Sequence, residues 1–201
     1  MKKILPLFSY LFHPIFVPVF GTLCYFLLNE NYLIAEQKYL ILIQVSITMI
    51  FIPISVFYLL RTIGKADSVM LSDVSQRKIP LFVQALLIVV LVGQSITHDQ
   101  IPELYFFFLG GLASTLSAFI LSLVKIKASL HMTGISTLVF FVIGLSMHNH
   151  INAIYLISFL FLIVGIVAAS RLQMQAHDGK ELLIGFLSGM LPQIAFWFFW
   201  L

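Results

Sequence analysis

Long apolar runs divided by short polar breaks dominate this 201-residue chain. Seven runs are candidates for membrane-crossing helices: 4–28, 39–60, 81–97, 103–124, 132–147, 151–169 and 182–201. The strict polar–apolar alternation of a membrane β-barrel is absent. The pattern therefore predicts an all-α fold, a polytopic transmembrane helix bundle of six to seven spans, with residues 1–201 forming a single integral membrane domain. The third and fifth runs are short, which predicts little tilt or partial enclosure by neighbours. Pro6, Pro14 and Pro18 predict an irregular first span, and Pro53 a kink in the second.

The polar breaks are of two kinds. "THDQIP" and "HNH" are tight turns after the third and fifth runs. The other three, 61–80, 125–131 and 170–181, carry most of the ionisable side chains. Each is separated from the next by two spans, so all three return to the same face whichever way the chain inserts. At twenty residues, 61–80 is longer than a simple connection needs, which points to function or mobility.

Composition agrees with this reading. Hydrophobic residues make up 61% and charged residues 9%, more apolar surface than a soluble domain of this size can bury. Cys24 is the only cysteine, so no internal disulfide is possible. The opening "MKKILPLFSYLF" resembles a signal sequence, but the apolar run continues to Leu28 without a small-residue cleavage site, so a retained first span is expected. With the N-terminus inside, ten of the eleven lysines and arginines face the cytoplasm and only Lys38 lies outside. Setting aside Arg77, Lys78 and Arg171 as candidate site residues leaves seven against one. The rest, Lys2, Lys3, Arg61, Lys65, Lys125 and Lys127 among them, read as cations that set topology and meet headgroups. Trp197 and Trp200 then fall at the outer end of the last span, where an aromatic belt belongs.

The shared face gathers two histidines, several cations and a carboxylate, a set that suits an anionic ligand and best a phosphate ester. His177 and Glu181 are spaced to meet on one helical face at the start of the last span. A carboxylate there can hold one imidazole nitrogen and leave the other for substrate. Arg171 offers a planar fork for two phosphate oxygens. His131 begins another helix, from which it can protonate a leaving alcohol. Three other features read as structural. His13 lies within the first span as a packed or pore-facing side chain. "MHNH" at 147–150 lacks a carboxylate or cysteine partner for a metal. Asp67 and Asp73, six apart without further acids, read as solvated loop charges and not as a magnesium site.

The run "SRLQMQAHDGKE", 170–181, resembles the third signature of the type-2 phosphatidic acid phosphatase superfamily, the lipid phosphate phosphatases and vanadium haloperoxidases, with Glu181 where the pattern has Asp. "ASLH", 128–131, is similar to the second signature, P-S-G-H, and Gly185, Phe186 and Gly189 resemble the small-residue helix that follows. "QRKIP", 76–80, carries the cations and proline of the first signature, with Ile79 before Pro80. The resemblance covers a phosphatase-like core at about 76–190. It implies a metal- and cofactor-independent hydrolase in which His177 attacks phosphorus and Glu181 orients it. His131 then serves as acid and base, while Arg171, Lys78, Arg77 and the backbone near Ser129 and Ser170 hold the oxygens. Phosphatidate, phosphatidylglycerol phosphate and polyprenyl diphosphates are the implied substrates, with the tail in an apolar groove between helices. The alternative is a degenerate relative that binds lipid phosphate without hydrolysing it, or a membrane scaffold. A small transporter is disfavoured, because the ionisable residues gather at one face and not at mid-membrane. The expected setting is the bacterial inner membrane, with the bilayer and a lipid phosphate as partners and no nucleic acid. Oligomeric state is not legible in the sequence. Bacterial relatives commonly act on the outer face; the charge count predicts a cytoplasmic site instead.

Overall fold

The computed structural model describes residues 5–29, 33–68, 70–71 and 73–201. Lys2 and Lys3, counted above among the inner cations, lie outside these residues. Seven helices among the described residues are long and apolar enough to cross a membrane: Leu5–Leu28, Ala35–Thr62, Val74–Gln94, Pro102–Leu123, Leu130–His148, Ile154–Gln173 and Gly179–Trp200. They are referred to below as the first to seventh spans. No strand occurs among the described residues. The protein is thus an all-α polytopic bundle suited to embedding in a lipid bilayer.

The fifth span is the most enclosed of the seven. It packs along the seventh and also touches the second half of the first span, the fourth and the sixth. Two glycines set the close approach of the seventh span. A methyl group at Gly185 would collide with the Ser129 backbone, and one at Gly189 with the Thr133 carbonyl and the Ser136 hydroxyl. Small residues that let backbones approach are how membrane helices gain packing without a hydrophobic driving force. Leu104 of the fourth span and Leu138, Val139, Phe141 and Val142 of the fifth are fully buried in the common apolar core.

Several boundaries differ from the sequence reading. The third span begins at Val74, well before the expected 81, so its first turns carry Arg77 and Lys78. Asp73 makes this start possible, its carboxylate accepting from the Ser75 amide at 2.9 Å. The Ser75 bonds, with help from the Arg77 charge, hold the Asp73 carboxyl below its ordinary range. Pro80 lies in the first α-helical turn, where its missing N–H costs little. The first span breaks as expected, into a helix over Leu5–Leu11, a 3-10 turn over Pro14–Phe16 and a helix over Val17–Leu28. In the second span the irregularity comes before Pro53, as a π-helical segment over Ile47–Phe51. Trp200 is buried against Phe141 and His148, so it serves as a packing residue and not as an interfacial anchor.

Candidate functional site

The three polar clusters meet. Arg77 Nη1 donates to the Ala128 carbonyl at 2.7 Å, joining 61–80 to 125–131. The Ser129 amide donates to the Glu181 carbonyl at 3.0 Å, and Lys127 Nζ donates to the Ala176 carbonyl at 2.7 Å, joining 125–131 to 170–181. Arg171 Nη1 lies 3.6 Å from the Met70 sulfur, which closes the circle.

His177 and Glu181 are paired, though not as two residues of one helical face. His177 stands just before the helix, Asp178 is its N-cap, and Glu181 lies in the first turn. Asp178 accepts from the Glu181 amide at 2.8 Å, and this cap turns the Glu181 side chain back towards the imidazole. His177 Nδ1 lies 2.7 Å from Glu181 Oε2, so Nδ1–H donates and Nε2 is the nitrogen presented elsewhere. Burial pushes the His177 imidazole down to about pKa 4. The Glu181 bond opposes this shift, while the charges of Arg171, Arg77 and Lys127 act in the same direction as burial. At neutral pH the ring is uncharged, with its Nε2 lone pair available.

Arg171 is 1% exposed and sits in the last turn of the sixth span. Its Nη1 faces the sulfurs of Met70 and Met174, its Nε has no hydrogen-bond partner, and among the described residues it forms no ion pair. A buried guanidinium in these surroundings favours an incoming anion, because burial of an uncompensated charge is costly. Arg77 is also buried, but its Nε and Nη1 are committed to the Leu71 and Ala128 carbonyls. It clamps the 61–80 connection onto the fifth span's start, while its charge acts on His177. Lys78 follows it, half-buried and without an ion pair among the described residues.

His131 is buried in the first turn of the fifth span, and Arg171 and His177 act on its ring electrostatically. Ser129 caps that helix, and its amide is already bonded to Glu181. Ser170 lies inside the sixth span's helix, where its amide is not a free donor, and its hydroxyl is 2.7 Å from that of Ser9. The Ser129 and Ser170 amides themselves are therefore occupied in building the site.

Lys127 departs from its topological role. Its Nζ lies 3.4 Å from Glu181 Oε2, on the carboxylate oxygen that also holds His177. Sequence spacing gave no sign of this, since Lys125 and Lys127 look alike there. Ser9 was missed as well, whereas His13, expected as a packed or pore-facing side chain, packs on His131 and lines the cavity described below. The signal was Pro14, which marks a break in the first span beside an otherwise unexplained polar pair. Asp67 and Asp73 stay apart from the site, Asp67 bonded to Gln76 and Asp73 capping its turn. His148 pairs with Glu103 at 3.5 Å on the opposite side of the bundle. Among the described residues no three His, Cys, Asp or Glu side chains cluster as metal ligands would.

An apolar cavity of about 330 Å³ lies beside the cluster. His13, Leu71 and Leu130 line it near the polar residues, and Phe57, Ile88 and Phe108 line it farther along the spans. No family model, curated protein or solved structure matches the chain. The class defined by fold and site is an integral membrane helix bundle with a buried, cation-rich histidine cluster at one end.

Proposed function

We propose that the protein is a membrane lipid phosphatase that hydrolyses a phosphate monoester or diphosphate of a lipid. The observation that carries this reading is Arg171, buried without an ion pair beside a neutral His177 that Glu181 orients. His177 Nε2 attacks phosphorus and the bond to the lipid oxygen breaks. His131, after taking a proton carried in by the monoanionic substrate phosphate, gives that proton to the leaving oxygen, leaving an alcohol, or a lipid monophosphate when the substrate is a diphosphate. Water then attacks the phosphohistidine as His131 takes up its proton, and inorganic phosphate leaves with His177 restored. Arg171 offers two parallel donors to the phosphoryl oxygens, with the Arg77 charge behind it. The apolar cavity beside His13 supplies a place for the lipid tail.

A second reading, binding of lipid phosphate without turnover, draws on one observation. The Ser129 amide, which could have faced phosphate, is spent on Glu181. Purified protein in detergent with EDTA, offered phosphatidate, phosphatidylglycerol phosphate and a polyprenyl diphosphate, separates the two. Release of inorganic phosphate from at least one is expected. Saturable binding with no release from any of them favours the second reading.

The site is proposed to face the cytoplasm of a bacterial inner membrane, from the excess of inner cations. Ser68 and His150 are exposed in connections on opposite sides of the bundle. With Cys24→Ser as background, single cysteines at these positions are treated with an impermeant thiol reagent on intact spheroplasts. Labelling is expected at 150 and not at 68; the reverse would place the site outside.

A further inference from the structure

The first span reaches the site through three contacts. His131 Nε2 lies 2.9 Å from the Ser9 carbonyl oxygen. Ser9 Oγ lies 2.7 Å from Ser170 Oγ, next to Arg171 in the sixth span. The His13 ring stands edge-on to His131, with centroids 5.1 Å apart and planes at 86°. Ser9 and Ser170 are wholly buried, and His131 nearly so.

The Ser9 carbonyl is available because the helix fails there. In an unbroken helix it would accept from the amide of His13. Pro14 disfavours helical backbone at the residue before it, and His13 is extended at φ −63°, ψ 138°. The His13 amide bonds to Tyr10 instead, and His13 Nδ1 accepts from the Ile15 amide at 3.3 Å to start the next turn. The Ser9 carbonyl is thereby left without its helical donor, and an imidazole fills the need.

A carbonyl oxygen can only accept, so Nε2 of His131 carries a hydrogen whether the ring is neutral or charged. Nδ1 is then the nitrogen that gains and loses a proton. We infer that the first span is a positioning element for His131. Its Ser9 carbonyl fixes the Nε2–H tautomer and turns Nδ1 to the reacting oxygen. The Ser9–Ser170 hydroxyl pair keeps that carbonyl in register with Arg171, and His13 walls the ring. The arrangement mirrors the other half of the site, where Glu181 holds Nδ1 of His177 and presents Nε2. The ionisable groups acting on His131 are Arg171 from the sixth span, His177 ahead of the seventh and His13 from the first.

The kinetic consequence rests on the phosphatase reading; the tautomer does not. Nitrogen-15 ring spectra of the full chain in detergent, with His131→Asn to assign the signal, are expected to show His131 as the Nε2–H tautomer at neutral pH. Pro14→Ala permits helix through residue 13, so the His13 amide competes for Ser9 and the tautomer preference falls. Under the same change kcat is expected to drop about tenfold while KM moves less than about threefold, as for loss of an interaction made in the transition state. Ser9→Ala, which keeps the carbonyl and removes the hydroxyl pair, is expected to move both readouts the same way by less. An Nδ1–H tautomer in the wild type, or a spectrum unchanged in both variants, overturns the inference. The assigned tautomer with no lipid phosphate hydrolysed leaves it standing and sinks the phosphatase reading.

Discussion

His177→Ala is expected to keep the fold and to lose lipid-phosphate hydrolysis by several orders of magnitude. The side chain is buried, but among the described residues its one polar partner is Glu181, which keeps Lys127 as a counterion. Removal therefore leaves no orphaned charge and spares stability. What disappears is the proposed nucleophile, the imidazole that Glu181 holds by Nδ1. In the wild type, brief exposure to labelled substrate followed by denaturation is expected to leave acid-labile, base-stable phosphate on the chain, and in the variant none. The pH profile carries the same signature. Because burial holds the imidazole down to about 4, the attacking nitrogen stays unprotonated through the weakly acidic range. The acid limb of kcat/KM assigned to His177 should therefore lie near 4 and not near the ordinary histidine value. Hydrolysis by His177→Ala at a near-normal rate would remove the proposed mechanism.

The spans were legible because each apolar run approaches membrane thickness, and in this solvent length alone selects the helix. Their ends were less so. Arg77 and Lys78, candidate site residues, were expected in the 61–80 connection, yet a capping aspartate and a proline in the first turn let the third span begin around them. The pairing of His177 with Glu181 was readable from four-residue spacing, but its cause is the Asp178 cap and not a shared helical face. Convergence of the three clusters followed from counting crossings. Which cations enter the site did not, because Lys125 and Lys127 differ only in the direction their backbone takes out of the fourth span. Lys125 has φ +61° and points its side chain to solvent, whereas Lys127 reaches the Ala176 carbonyl. The contribution of Ser9 was invisible for a related reason: it is made by a backbone carbonyl, which every residue carries, and only the break at Pro14 singles it out.

Arg171→Lys is the sharpest test of whether these cations form a site or a diffuse positive surface. Lysine keeps the charge and much of the length, so a surface that merely attracts phosphate would tolerate it. The native environment argues that it will not. The guanidinium is enclosed between methionine sulfurs in the last turn of the sixth span, where the helix end favours a cation and its planar face suits the soft lining. An ammonium group is a strongly hydrated point charge, so placing it there costs desolvation and offers phosphate no paired donors. A loss of kcat/KM on the order of 10²-fold is expected, comparable to removing one preorganised donor from an oxyanion site. Arg61→Ala provides the contrast. Arg61 is exposed in the last turn of the second span and forms no ion pair among the described residues, so its loss should change turnover less than about twofold. Equal sensitivity at positions 61 and 171, measured with the same lipid phosphate and matched for thermal stability in detergent, would mean that phosphate is drawn by net charge alone and that Arg171 holds nothing in particular.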